Sequence, residues 1–297
     1  MATTHDPLWP PASSLVTSEV RDRTVGLVGA STYQTSLSPR SATSTPDAVR
    51  AALARYSRWA EGEVGDLAES LSVRDLGDVL SPDASDARER LATLLAGAPR
   101  DLTIVLGGDN AVTWLALGAL ARDDWSTWGL VTLDAHLDLR DGRSNGSPVR
   151  QLLDEGLDPR AVVQVGIADF ANSPAYARRA RESGLTLIPR RAFYDESPEA
   201  LARRALAVAG ANARRVYVDL DFDVVDRSVV PGCPAAAPGG LSADELRRFA
   251  REIARDERVV MVDLAEIDVE RDVNETTVRL AALVVLELLA GVVERTR

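Results

Sequence analysis

Short, continuous apolar runs alternate with helix-like segments along most of the chain, and this alternation restricts the fold more than any other feature. Apolar runs without a polar face are typical of strands that are covered on both sides. Strands are expected at residues 24–29, 102–106, 129–133, 161–165, 185–188, 216–220 and 259–264, with a weaker candidate at 73–79. Helices are expected at residues 46–60, 111–122, 147–155, 173–183, 197–209, 242–255 and 275–294. The pattern predicts an α/β fold with a mainly parallel sheet and helices on both faces.

No repeat, linker or low-complexity tract interrupts this series. Residues 1–297 are therefore expected to form a single domain, with residues 1–23 as an irregular lead-in. In open parallel sheets, ligands bind beyond the carboxyl ends of the strands. Catalytic or ligand-binding residues are therefore expected directly after the strands.

The composition excludes several classes of function. The net charge of −11 argues against a nucleic-acid partner and against binding to an anionic membrane surface. The single cysteine, Cys233, cannot form an intrachain disulfide or a thiolate zinc cage. Lysine is absent, which excludes Schiff-base chemistry on lysine, and the two histidines are His5 and His136. With no signal sequence or long apolar run, the chain is expected to be cytoplasmic.

Acidic side chains follow three of the expected strands, and the first of these strands is followed by Asp109. Asp134, His136 and Asp138 follow one strand, and Asp221 and Asp223 lie at the end of another. Because side chains alternate along an extended segment, the members of each group project to one side. Carboxylates packed closely together repel one another unless a cation neutralises them. One imidazole among many carboxylates favours a hard divalent ion such as Mn²⁺ or Mg²⁺.

A different reading of each acidic group stays open when the group is taken alone. A pair of aspartates at a strand end is often a helix cap, a turn or a solvated edge. The Gly107-Gly108 pair is equally consistent with a tight turn before a helix, and Asp109 is expected to cap that helix. The occurrence of both clusters, each after an apolar strand, favours the metal site.

Three segments in this order resemble the signatures of the arginase/agmatinase (ureohydrolase) superfamily. They are Gly107-Gly108-Asp109-Asn110, Asp134-Ala135-His136-Leu137-Asp138, and Asp221-Phe222-Asp223-Val224-Val225-Asp226. Pro231-Gly232-Cys233-Pro234, Pro238-Gly239-Gly240-Leu241 and Glu266 match later parts of the same pattern. The resemblance implies a three-layer arginase-like catalytic domain with a mainly parallel, eight-stranded sheet.

The resemblance also implies a centre of two Mn²⁺ ions whose bridging hydroxide attacks an amidine or guanidinium carbon. Carried over by position, Asp134 and Asp221 bridge the ions. Asn110 and Asp138 complete the first site, and His136 and Asp223 complete the second. Asp138 would also orient the nucleophile as a catalytic residue. Glu266 would accept hydrogen bonds from the cationic amidine and so position the substrate.

Two residues depart from the arginases and agmatinases. Asn110 stands where they have a histidine ligand, so the first site is expected to bind its metal more weakly. Asn145 stands near their proton-shuttling histidine and cannot act as an acid or base. Both residues, with the segment Asn145-Gly146-Ser147-Pro148-Val149-Arg150, look most like the formimidoylglutamase branch. That branch splits N-formimidoyl-L-glutamate into L-glutamate and formamide in histidine degradation.

An anionic dicarboxylate substrate favours arginine side chains near the site. The candidates are Arg40, Arg140, Arg143 and Arg150. Asn145 is a further candidate for a hydrogen bond to a substrate carboxylate, and we include it with Asp138 and Glu266 in the expected catalytic group.

Two other functions stay open at this point. One is a guanidino hydrolase that resembles agmatinase, guanidinobutyrase or arginase but has an altered proton route. The other is a catalytically silent homologue that binds a metal or a metabolite. The resemblance further implies a homo-oligomer, a trimer or hexamer, acting on a small molecule.

Overall fold

A computed structural model describes residues 6–38, 40, 44–122 and 124–295. The first five residues of the expected lead-in, with His5, lie outside the described residues. The strands in the described ranges are β1 (Arg23–Ala30), β2 (Trp59–Ala60), β3 (Gly65–Asp66), β4 (Leu71–Asp78), β5 (Leu102–Gly107), β6 (Trp128–Leu133), β7 (Val162–Ile167), β8 (Thr186–Pro189), β9 (Arg215–Asp221) and β10 (Val259–Ala265).

Eight of the described strands form one sheet in the order β4-β1-β5-β10-β9-β6-β7-β8, and every neighbouring pair is parallel. The predicted eight-stranded α/β fold is confirmed. The order places β5, β10, β9 and β6 side by side at the centre of the sheet. Because all four are parallel, the residues that follow them meet at a single edge.

Helices cover both faces of this sheet. They are α1 (Thr45–Ala52), α2 (Ala87–Leu95), α3 (Ala111–Ala121), α4 (Pro148–Asp154), α5 (Pro174–Ser183), α6 (Pro198–Ala209), α7 (Ala243–Arg255) and α8 (Thr276–Val293). Successive strand residues point to opposite layers. Ile104 packs in the core with α1, α6, α7 and α8, whereas Val105 packs in the core with α2, α3, α4 and α5.

The most apolar helix, α8, is long and apolar enough to cross a membrane by length and composition alone. However, 67% of this segment is buried inside the fold, and α8 packs along α7 and α1. The same composition is typical of the core helix of a globular protein. The apolar run near the C-terminus therefore belongs to the core.

Three local elements differ from the prediction. The helix expected at residues 46–60 leaves the α conformation after Ala52, continues as a 3₁₀ turn from Leu53 to Arg55, and becomes extended at Tyr56. No glycine or proline in that stretch signals the end of the helix. Helix α2 and the short β2–β3 hairpin were not predicted. The hairpin is only two residues long on each side, which is too short for a period-2 pattern to be recognised.

Candidate metal centre

The acidic segments identified in the sequence meet at the carboxyl edge of the four central strands. Asn110 follows β5, Asp134 follows β6, Asp221 ends β9 and Glu266 follows β10. All four side chains are buried, with 2% or less of their surface exposed. The strand order thus brings together residues that are as much as 156 positions apart in the chain.

Asp134, His136 and Asp223 form the tightest group. One potential ligand atom from each residue lies within 4.8 Å of the others. His136 Nδ1 lies 2.7 Å from Asp223 Oδ2 and 3.6 Å from Asp134 Oδ1. Backbone amides hold the two carboxylates in place, because His136 N donates to Asp134 Oδ1 and Ala135 N donates to Asp223 Oδ1. The group is therefore fixed from both sides and open to one cation.

Asp138 and Asp221 extend this group. Asp223 N donates to Asp221 Oδ1 over 2.7 Å, which fixes Asp223, in the 3₁₀ turn after β9, against the last residue of the strand. Asp138 has a positive φ of 52°, and so does Glu266 at 60°. This conformation costs a residue other than glycine about 1–3 kcal/mol and is concentrated at functional sites. The backbone thus has a positive φ at two of the positions that contribute carboxylates to the site.

The pKa values reveal an excess of negative charge. Burial raises the pKa of Asp134 to about 7, and the charge of Asp223 acts in the same direction. Burial also raises the pKa values of Asp138 and Asp221 well above the usual range, with neighbouring carboxylates as the next cause. The charge of Asp223 raises the pKa of His136 to about 12 despite burial of the ring. Burial would raise the pKa of Asp223 too, but His136 outweighs it and the pKa lies below its usual value.

This donor set fits a divalent cation. Four buried carboxylates around one imidazole offer oxygen and nitrogen ligands of the kind that Mn²⁺ accepts. A cation would neutralise the repulsion that raises the pKa values of the acids. It would also take the place of the proton on His136, since a histidine ligand must be neutral. The residues present therefore fit a divalent metal ion, because its charge would offset the repulsion among them.

Asn110 lies beside the acids but presents its amide nitrogen to them. Its Nδ2 donates to Asp138 Oδ2 over 2.6 Å and lies 3.4 Å from Asp134 Oδ2. Its Oδ1 turns the other way and accepts from the Thr113 hydroxyl over 2.8 Å. As oriented, Asn110 is a hydrogen-bond donor to the expected first metal site.

Glu266 is held on one oxygen only. Its Oε1 accepts from Asn110 N over 2.9 Å and from Asn145 Nδ2 over 2.8 Å. Its Oε2 has no hydrogen-bond partner among the described residues. Burial raises the pKa of Glu266, and the charge of Arg40 opposes that rise. The second oxygen thus has no hydrogen bond from the described residues, and its nearest cation is Arg40, whose Nη1 lies 3.7 Å away.

Asn145 uses both ends of its amide within the protein. While Nδ2 donates to Glu266, Oδ1 accepts from Leu37 N over 2.9 Å. Asn145 therefore connects the loop at Leu37 to Glu266. This arrangement gives Asn145 a part in positioning Glu266, in addition to the expected contact with substrate.

A cavity of about 300 Å³ opens above the acids. Its lining includes Asn110, His136, Asp138, Asn145 and Glu266, together with Arg140. Arg140 is exposed, and its guanidinium has no ion-pair partner within the described part of the chain. The cavity is thus lined by buried carboxylates and by one exposed arginine.

The other candidate arginines lie elsewhere than expected. Arg150 donates to the carbonyl oxygens of Arg140 and Gly142 and pairs with Asp154, so its donors are already occupied. Arg143 stacks on the Trp114 ring, with 4.5 Å between Cζ and the ring centroid, and does not line the cavity.

Arg40 is buried against Glu266 rather than exposed at the mouth of the cavity. Its side chain is 0% exposed, its Nη1 lies 3.7 Å from Glu266 Oε2, and its Nη2 donates to the Ile267 carbonyl. This placement makes Arg40 a counter-ion of Glu266.

A group of buried, hydrogen-bonded residues beneath the site was not predicted from the sequence. Thr113 and Asp263 are buried and connected to Asn110, and Tyr217 contacts Asp263. Thr113 lies three positions after Asn110 at the start of α3, a spacing that brings side chains together on a helix. That spacing was the available signal. Asp109 precedes the N-cap position of α3, which Asn110 occupies, and its Oδ1 accepts from Ala111 N over 3.2 Å.

The sequence model of the Arginase family matches residues 23–291. The formimidoylglutamase of Halalkalibacterium halodurans is 34% identical over 277 residues, which cover 90% of this chain and 86% of that protein.

Two solved structures have the same fold. The crystal structure of formimidoylglutamase from Bacillus subtilis superposes with a TM-score of 0.88 at 29% identity, covering 98% of this chain and 94% of that one. The Trypanosoma cruzi formiminoglutamase, solved with Mn²⁺, superposes with a TM-score of 0.84 at 23% identity, covering 97% of this chain and 100% of that one. At that identity, the second comparison bears on the fold alone.

Proposed function

The chain belongs to the arginase family of hydrolases, and from that premise we propose that it hydrolyses N-formimidoyl-L-glutamate to L-glutamate and formamide. The observation that carries the proposal is that the cavity is lined both by buried carboxylates and by an exposed arginine, Arg140. Glu266 and the acidic group suit a cationic amidine, and Arg140 suits a carboxylate. A substrate with a second cation, such as agmatine, would meet Arg140 as a like charge.

The proposed metal is Mn²⁺, with two ions held between two sets of residues. Asp134 and Asp221 would be shared, Asn110 and Asp138 would hold the first ion, and His136 and Asp223 would hold the second. Bound ions of this kind supply the acidity that makes water a nucleophile near neutral pH. The neutral amide of Asn110 would make the first site the weaker one.

The remaining chemistry belongs to the protein side chains. Glu266 Oε2 would accept hydrogen bonds from the amidine and fix the formimidoyl carbon at the base of the cavity. The water oxygen adds to that carbon, and the bond from carbon to the glutamate nitrogen breaks. Asp138 would hold the attacking water, take its proton and deliver it to the leaving amine. Asn145 would keep Glu266 in position through its hydrogen bond to Oε1.

A single experiment tests the proposed function. The purified chain is stripped of metal and reloaded with Mn²⁺, and release of formamide and glutamate from N-formimidoyl-L-glutamate is measured. Agmatine, arginine and 4-guanidinobutyrate are assayed in parallel. We expect Mn²⁺-dependent release from the formimidoyl compound only. Hydrolysis of a guanidino compound instead would reject the substrate, and no hydrolysis with only one ion bound would favour a silent homologue.

Arg140→Met is expected to raise KM for N-formimidoyl-L-glutamate about fivefold, with a small change in kcat. Arg140 is exposed, so its contact with a carboxylate should contribute about 1 kcal/mol, which corresponds to an effect of about fivefold. Steady-state kinetics at fixed Mn²⁺ measure both constants.

Arg143→Met is the matched control, because Arg143 lies in the same loop but stacks on Trp114. Its kinetic constants should match those of the wild type. If both substitutions raise KM equally, the effect would come from the loop or the overall charge, and Arg140 would lose its role in recognition.

A further inference from the structure

Asn110 is connected to the protein interior by a short chain of buried hydrogen bonds. The Thr113 hydroxyl lies 2.8 Å from Asn110 Oδ1 on one side and 3.0 Å from Asp263 Oδ2 on the other. The Tyr217 hydroxyl lies 2.5 Å from the same oxygen of Asp263. All of these side chains are buried, with 2% or less of their surface exposed, so water does not offer alternative partners.

The number of protons in this chain limits how it can be arranged. The Thr113 hydroxyl has one proton and lies between two oxygens that both accept, Asn110 Oδ1 and Asp263 Oδ2. It can therefore satisfy only one of them in the observed orientation. Rotating the Asn110 amide by half a turn resolves the conflict. Asn110 Nδ2 then donates to Thr113, and Thr113 donates to Asp263.

The rotated amide also changes what Asn110 presents to the acids above it. In the observed orientation Nδ2 donates to Asp138 over 2.6 Å. In the rotated orientation Oδ1 faces Asp134 and Asp138, and three oxygens that face one another need a cation or a proton between them. The observed orientation is that of a donor, and the rotated one is that of a metal ligand.

We propose that Thr113 is a positioning residue that, together with Asp263, turns the Asn110 amide oxygen toward the metal centre. Thr113 can serve both orientations, because a hydroxyl can either donate or accept. In the ligand orientation the bond from Asn110 to Asp138 gives way to the metal, whereas Thr113 keeps its bond to Asn110 and also donates to Asp263, and this bond to Asp263 favours metal binding at the first site. The inference rests on the metal-dependent function proposed above and adds two residues that the family motifs did not identify.

The test is calorimetric titration of the metal-free, full-length protein with Mn²⁺. Thr113→Val keeps the shape of the side chain and removes the hydroxyl. We expect it to weaken the first site by about 10- to 100-fold, as is usual for residues that orient a metal ligand, and to leave the second site unchanged. Thr113→Ser retains the hydroxyl and should restore binding.

Thr132→Val provides the matched control. Thr132 is a buried threonine on β6 whose hydroxyl has no hydrogen-bond partner among the described residues. Its replacement should leave both Mn²⁺ affinities unchanged. Asp263→Asn gives a signed test, since its amide can donate to Thr113 and so fix Asn110 in the donor orientation. That variant should also weaken the first site.

Three results would overturn the proposal: Thr113→Val with both affinities intact, equal losses in Thr113→Val and Thr132→Val, or a wild type that binds a single ion. Substrate turnover does not enter the titration. A wild type that binds two ions but fails to hydrolyse the formimidoyl compound would reject the proposed substrate and leave the comparison of Thr113 variants valid.

Discussion

Asp221→Ala is expected to lose both Mn²⁺ binding and detectable turnover. Asp221 is buried beside Asp134 and Asp223, in the position from which it would be shared by both ions. The ions would supply the acidity that makes water a nucleophile near neutral pH, and no described side chain can replace that acidity. Metal content by elemental analysis and release of formamide measure the two losses.

The same variant gives a signed result for stability. In a metal chelator, Asp221→Ala should melt close to the temperature of the wild type, because relief of the repulsion among the buried carboxylates offsets the lost hydrogen bond from Asp223 N. In Mn²⁺, the wild type alone should gain stability, by about 2.7 kcal/mol at a metal concentration 100 times Kd. Calorimetric melting curves with and without Mn²⁺ measure this difference.

Asp169→Ala is the matched control, because Asp169 follows β7 at the same edge of the sheet but is exposed. It should retain the metal, the activity and the Mn²⁺-dependent rise in melting temperature. An Asp221→Ala protein that still binds two ions and turns over would remove Asp221 from the site.

Much of the fold could be predicted because the central strands are apolar on both faces. Residues 102–106, 129–133 and 216–220 were expected as strands, and each lies within an observed strand of the central sheet. Their order across the sheet was not predicted, since it depends on how the helices pack. The boundary at Ala52 was missed because the end of α1 is set by the change to a 3₁₀ turn at Leu53 and not by a stop residue.

The functional site, like the fold, could be predicted only in part. The acids that follow β6 and β9 could be grouped from the period-2 alternation and the resemblance, because strand ends at one edge of a parallel sheet converge. The hydrogen-bond partners of the arginines could not be predicted. Arg150 finds its acceptors in the carbonyl oxygens of Arg140 and Gly142, and their positions depend on a turn whose geometry the sequence does not specify. The orientation of the Asn110 amide could not be predicted either, because it depends on the hydrogen bonds of Thr113 and on Asp263, which is distant in the chain.

Glu266→Gln is expected to lower kcat/KM for the formimidoyl substrate by about 10- to 100-fold while leaving metal content unchanged. The substitution keeps the shape of the side chain and replaces a carboxylate oxygen by an amide group. A hydrogen bond to a charged group contributes about 1.5–3 kcal/mol, and each 1.36 kcal/mol is a tenfold change in rate. Steady-state kinetics and elemental analysis of the same preparation measure the two quantities.

Glu266 is suited to this test because its two oxygens have different surroundings. Oε1 accepts from the backbone amide of Asn110 and from Asn145, which a glutamine oxygen can still do. Oε2 has no hydrogen-bond partner in the described ranges and lies 3.7 Å from Arg40 Nη1. Glutamine would therefore place its amide nitrogen where the amidine should bind and set donor against donor.

The control for this substitution is Glu257→Gln. Glu257 is exposed and precedes β10, at the opposite edge of the sheet from Glu266, so the chemical change is the same and the site is distant. Its kcat/KM should equal that of the wild type. A Glu266→Gln enzyme with unchanged kcat/KM would show that the amidine is held elsewhere, whereas a loss of metal in that variant would assign Glu266 to the metal centre itself.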